Sequence, residues 1–133
     1  MHHAIFVNLP IRDQAATREF FTAMGYSFNE EFCAEGTALC LVLGENMYAM
    51  LLTTDFFAGF GDRPVADATQ STQVMLCLDV ASRAEVDRLV DKAVELGGRA
   101  VRTEDHGQMY GRSFADLDGH LWELMWMDPS ARG

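Results

Sequence analysis

The chain reads as an α+β protein built from two copies of a βαβββ module, and three observations predict it. Short apolar segments and two amphipathic helical segments follow one another as strand, helix and three strands, and then do so again. The two halves can be laid over each other: Ile11 and Val80 lie 69 residues apart, as do Phe6 and Met75, while Met50 and Glu123 in the last strands lie 73 apart. A period this long marks an internal duplication rather than a solenoid. Finally, 133 residues with 49% hydrophobic content and three prolines suit one ordered domain. Its modules are expected near 1–54 and 72–129, joined by a loop at about 55–71.

In the first module, residues 4–9 alternate as a strand, with Ala4, Phe6 and Asn8 on one face. Asp13 is the expected N-cap of a helix whose Ala16, Phe20, Ala23 and Met24 form the buried stripe and which Gly25 ends. Extended segments are predicted at about 26–33, 37–43 and 47–53, the last two joined by the turn Gly44, Glu45, Asn46. The connection holds Phe56, Phe57 and Phe60, which predicts a flap folded over something apolar.

The second module opens with a strand near 73–80. Ser82 and Glu85 then form a capping box for a helix burying Val86, Leu89, Val90, Ala93 and Val94, closed by Gly97 and Gly98. A strand near 99–103 and a polar loop, Glu104 to Gly107, lead to the closing hairpin. There Asp116, Leu117, Asp118 and Gly119 make the turn, the aspartates bonding their own backbone. In its last strand, period 2 puts Leu121, Glu123 and Met125 on one face and Trp122, Leu124 and Trp126 on the other. Glu123 is thus a lone carboxylate among apolar neighbours, and a buried carboxylate needs a partner.

A net charge of −10 argues against nucleic acid or an anionic membrane surface as partner, since both require clustered Lys and Arg. No stretch of about 18 apolar residues occurs. Cys33, Cys40 and Cys77 cannot all pair and show no CxxC spacing, so they are expected to be reduced and buried and the protein cytoplasmic.

The doubled βαβββ order, the helix opening IRDQAATREFFTAMGY and above all the closing SFADLDGHLWELMW resemble the glyoxalase, bleomycin-resistance and extradiol-dioxygenase superfamily, the vicinal oxygen chelate (VOC) proteins. The resemblance covers essentially the whole chain. It implies an open barrel, each module curling its strands into a cup with helices outside, and commonly a homodimer. It also implies a divalent metal held from the first and last strands of the halves, at Phe6, Met50, Met75 and Glu123. Only Glu123 among these can ligate a hard ion: Phe has no donor atom and Met a soft thioether. Neighbours one residue away are also apolar, and Asn8 and Tyr48 lie two residues off. No family metal and no other cofactor is therefore expected.

In such a cup Phe6, Tyr48, Met50, Met75 and Cys77 would line the inner face around Glu123, giving an apolar pocket with one carboxylate, the usual form of a small-molecule site. Tyr110 and Arg112 at the start of the closing hairpin are candidate donors to Glu123 or to an anionic ligand. Arg112 shares the face of Phe114, so its direction depends on where Phe114 goes. His106 either reaches the mouth of the cup or is a solvated loop histidine; His120 shares the face of Trp122, and His2 and His3 precede the first strand. Three functions fit: a metal-free binder of a small, partly apolar ligand; an enzyme using a divalent metal or Glu123 as general base; and a dimeric scaffold whose cup is filled by its own side chains.

Overall fold

The computed structural model describes residues 1–131 and divides the chain into two compact units, one of Met1–Ala66 and one from Asp67 onward. In the first, β1 (Ile5–Ile11), β2 (Ser27–Phe28), β3 (Ala38–Gly44) and β4 (Met47–Thr53) form a sheet in the order β1-β4-β3-β2. In the second, β5 (Met75–Asp79), β6 (Arg99–Asp105), β7 (Met109–Ala115) and β8 (Leu121–Met127) repeat that order as β5-β8-β7-β6. Neither sheet closes on itself. The first and last strands of each unit pair in parallel and the others antiparallel. This is the doubled βαβββ architecture, and the registers agree with it: Phe6 pairs with Tyr48 and Asn8 with Met50, as Met75 pairs with Leu121 and Cys77 with Glu123.

Helix α1 (Gln14–Met24) starts where Asp13 accepts from the Ala16 amide at 3.0 Å and stops at Gly25, whose φ of 103° suits a residue without a Cβ. It buries Thr17, Phe20, Phe21 and Met24, a stripe rotated from the expected one: Ala23 is exposed and Ala16 half-buried. Against that stripe the sheet presents Leu9, Ile11, Leu39, Leu41, Ala49 and Leu51, all buried. In the second unit α3 (Arg83–Glu95) begins at Ser82, which accepts from the Glu85 amide at 3.1 Å, while the Glu85 carboxylate pairs with Arg88. Its Val86, Leu89, Val90 and Ala93 pack over Phe114, Trp122 and Leu124; Val94 is exposed, contrary to expectation.

Three further expectations need correction. The segment 26–33 is not a strand: after two paired residues, Asn29 turns its side chain back to accept from the Glu31 amide at 3.1 Å and starts a 3₁₀ turn, Glu30–Phe32. The start of the connection is the short helix α2 (Thr54–Ala58), and its aromatic residues are not a closed flap, because Phe60 is 73% exposed and meets the Phe56 ring edge-on at 5.2 Å. Glu104 and Asp105 belong to β6 rather than to a loop, which shortens the turn before β7 to His106, Gly107 and Gln108.

Candidate functional site

Each sheet has one face covered by its helix and one face free of it, and the register assigns the side chains to them. In the first unit the helix-free face carries Phe6 and Asn8 of β1 beside Tyr48 and Met50 of β4. Phe6 stacks on Tyr48 at 4.9 Å and meets Phe32, edge-on, at 6.5 Å, yet remains 45% exposed. Asn8 donates to the Phe6 carbonyl at 3.1 Å. Strand phase does not place Phe32 on this face, because the residue sits on a 3₁₀ turn, where the period-2 rule does not apply.

In the second unit the corresponding face carries Met75 and Cys77 of β5, Leu121, Glu123 and Met125 of β8, and Gly111 and Ser113 of β7. Met75 is 50% exposed and Glu123 half-buried. Cys77 lies directly beside Glu123 in the register, with Ser113 across from it. Cys77 is solvent-exposed, contrary to expectation, yet partial desolvation first, and then its hydrogen bond with the Glu123 carboxylate, push its thiol up to about 12, so it stands protonated. The carboxylate also leans over β7: a Cβ placed on Gly111 would lie 3.8 Å from Glu123 Oε2.

Tyr110 and Arg112 do not join this group. Phe114 packs under α3, and Arg112, sharing its face, goes with it. Arg112 Nη1 donates to Asp87 Oδ1 and to Asp91 Oδ1, both at 2.9 Å, and the Tyr110 hydroxyl donates to Asp87 Oδ1 at 2.6 Å. Both are thus committed to α3 on the side opposite Glu123. Arg83 adds to the network, pairing with Asp105 and lying 4.3 Å over the Tyr110 ring. His106 is exposed at the β6–β7 turn, 3.9 Å from Glu104 and apart from Glu123 in the register.

The closing motif owes its pattern to packing. Asp116 is buried; its Oδ1 accepts from the amides of Asp118 at 2.9 Å and His120 at 3.0 Å, and its Oδ2 accepts from Trp122 Nε1 at 2.9 Å. Burial pushes its carboxyl up, and the His120 imidazole, then the Trp122 indole N–H and the Asp118 amide, pull against that. Gly119, at φ 91°, passes so close to Ala68 that a Cβ would lie 2.7 Å from its carbonyl oxygen. The motif therefore fixes the turn that aims β8, and through β8 it positions Glu123.

As to metal, the strand neighbours of Glu123 offer one protonated thiol, one hydroxyl and thioethers. Among the described residues no three His, Cys, Asp or Glu side chains come together as a ligand set. Such donors do not fit a hard divalent ion, which needs several nitrogen or oxygen ligands.

Two duplicated, open βαβββ sheets with one face left free of helix define the VOC fold, that of glyoxalases, bleomycin-resistance proteins and extradiol dioxygenases, and this chain has it. Among solved structures, a hypothetical protein from S. aureus is similar at 26% identity, with 95% of each chain covered and a TM-score of 0.81. A glyoxalase-related enzyme from Fulvimarina pelagi matches at 18% identity over 95% of this chain and 88% of its own, TM-score 0.79. The fosfomycin resistance protein FosX from Listeria monocytogenes matches at 17% identity over 100% and 99%, TM-score 0.69. No family model matches the sequence, and no curated protein does. The resemblance read from the closing hairpin thus holds at the level of the fold.

Proposed function

We propose that the protein binds a small, partly apolar ligand against the helix-free faces of its sheets, with Glu123 as the polar anchor and without the metal of the family. One observation carries this reading: large apolar side chains are left exposed on these faces, Phe6 on its Tyr48 stack and Met75 beside the Cys77–Glu123 pair, where a folded chain ordinarily covers them. Glu123 has a weak thiol as its protein donor, so a ligand hydroxyl or ammonium group would replace a poor partner with a good one. On the first unit's own helix-free face Met50 lies beside Asn8 in the register.

The protein is further proposed to be a cytoplasmic homodimer. Both sheets end in strands with an unpaired edge, a liability that a second copy removes, and no helix among the described residues is long and apolar enough to cross a membrane. Sedimentation showing only a 14.8 kDa species at micromolar concentration would contradict the dimer.

The metal-free part is tested by titrating wild type and Glu123→Gln with nickel, zinc, manganese and iron(II) while following thermal unfolding. Neither protein should gain stability. A saturable stabilisation of wild type that the variant lacks would establish a metal site at Glu123 and sink this reading.

A further inference from the structure

Away from the helix-free faces, the outer side of α1 and the 3₁₀ turn Glu30–Phe32 enclose a groove of about 800 Å³ whose wall includes Arg18, Glu30 and Cys33. The Cys33 sulfur is anchored from both sides. It accepts from the Cys40 amide at 3.3 Å and donates to the Asn29 carbonyl at 3.4 Å. Arg18, held on Glu30 by two bonds of 2.8 and 3.1 Å, shares this wall with Cys33. Cys40, on β3, is fully buried. The two cysteines are seven residues apart, and the chain between them is pinched by mutual bonds of Ala34 and Ala38, both 2.9 Å.

The Cys33 sulfur lies 3.3 Å from the Cys40 backbone nitrogen, which makes the two residues direct neighbours, as a disulfide requires. Their surroundings also assign them different parts. Cys33 is half-buried on the wall of this open groove, which Arg18 also lines, and accepts from an amide donor. Cys40 is sealed in the core, and burial pushes its thiol up. The first is open to a small oxidant, the second only to Cys33.

We propose that Cys33 and Cys40 form a reversible oxidation site, in which a hydroperoxide oxidises Cys33 and Cys40 resolves it to a disulfide. The Cys33 sulfur attacks the peroxide oxygen: an S–O bond forms, the O–O bond breaks, and the leaving alkoxide or hydroxide departs with the thiol proton as alcohol or water. Sulfur is oxidised by two electrons and the peroxide is reduced. The Cys40 sulfur then attacks Cys33, forming S–S and breaking S–O, and the hydroxyl leaves with the Cys40 proton as water. Because Cys33 follows Phe32, the bond would pin the turn that holds Phe32 against Phe6. This site does not depend on the ligand reading above.

The test is peptide mapping of the full chain after exposure to hydrogen peroxide, using a glutamate-specific protease that cuts at Glu35 between the two cysteines. Wild type should give a linked peptide joining Cys33 to Cys40, reversed by dithiothreitol, with Cys77 still titratable. Cys33→Ser should give none, and Cys40→Ser should accumulate a dimedone adduct at Cys33. If Cys40→Ser does not fold, the wild-type map decides alone. Oxidation confined to Cys77, or three thiols that still titrate in wild type after excess peroxide, would overturn the proposal.

Discussion

The two modules share strand order and register but not the side chains those registers carry, and the difference separates what the fold needs from what a site can vary. On the helix side the matched positions Leu51 and Leu124 are both leucine and both buried. Their neighbours Ala49 and Trp122 are matched as well, and there the second module fills with one indole what the first fills with the phenylalanines of α1. On the helix-free side the pairs are Phe6 and Met75, Asn8 and Cys77, Tyr48 and Leu121, Met50 and Glu123. No chemistry is repeated there. A duplicated backbone thus keeps its apolar helix face under a volume constraint, while its other face is free to diverge.

The helices are also fastened differently. In the first module Gln14 clips α1 to the chain before β3, its Nε2 donating to the Ala34 and Ala38 carbonyls at 2.9 Å each and its Oε1 accepting from the Gly36 amide at 2.8 Å. In the second, α3 is held by ions: Asp87 and Asp91 on Arg112, and Arg83 on Asp105. A neutral clip is indifferent to pH; an ionic one is not.

The largest expected effect is in the second core. Trp122, 2% exposed, should cost about 3–5 kcal/mol when replaced by alanine, measured by urea unfolding. A cost below about 1 kcal/mol would mean that the indole is not the keystone of this module. Next comes Asp116→Asn, which turns an amide NH₂ or loses an acceptor toward one of three N–H groups; about 1–3 kcal/mol is expected from the buried donor left unmatched. An unchanged unfolding midpoint would show the turn to be held by other bonds.

Smaller still is the ionic clip. Arg112→Met should cost about 0.5–1 kcal/mol, since its partners Asp87 and Asp91 are well exposed. Asp87 is held below the ordinary carboxylate range, first by the Tyr110 hydroxyl and then by Arg112, so it binds fewer protons folded than unfolded. Its stabilisation is complete at neutral pH and is lost as pH falls below about 4. The difference between wild type and Arg112→Met should therefore shrink in acid, and a difference constant from pH 7 to 3 would contradict the assignment.

Much of this organisation was legible in the sequence because it rests on local rules: the caps at Asp13 and Ser82, the turn residues, and the period-2 faces of β8 that separate Trp122 from Glu123. The offsets of 69 and 73 also survive as matched registers. What was not legible depended on competition or on distant contacts. Asn29 lies in an apolar run with strand periodicity, yet its side chain bonds the Glu31 amide and ends the strand, and the direction of Arg112 follows from Phe114 entering the core. Strand phase alone puts Phe6, Tyr48, Met50 and Met75 on the helix-free faces, whereas chemistry alone does not place Tyr110 and Arg112, which lie on the helix side, or His106, which lies at a turn.

The central claim, that the helix-free faces bind small apolar ligands, that of the second sheet beside Glu123, is tested most directly by titrating the native protein with a neutral solvatochromic dye such as Nile red. Wild type should bind saturably, Phe6→Ser and Met75→Ser should each weaken binding about tenfold, roughly the worth of one exposed apolar contact, and Val94→Ser, an equally exposed apolar site on α3, should leave it unchanged. Absence of saturable binding, or an equal loss in Val94→Ser, would contradict the account.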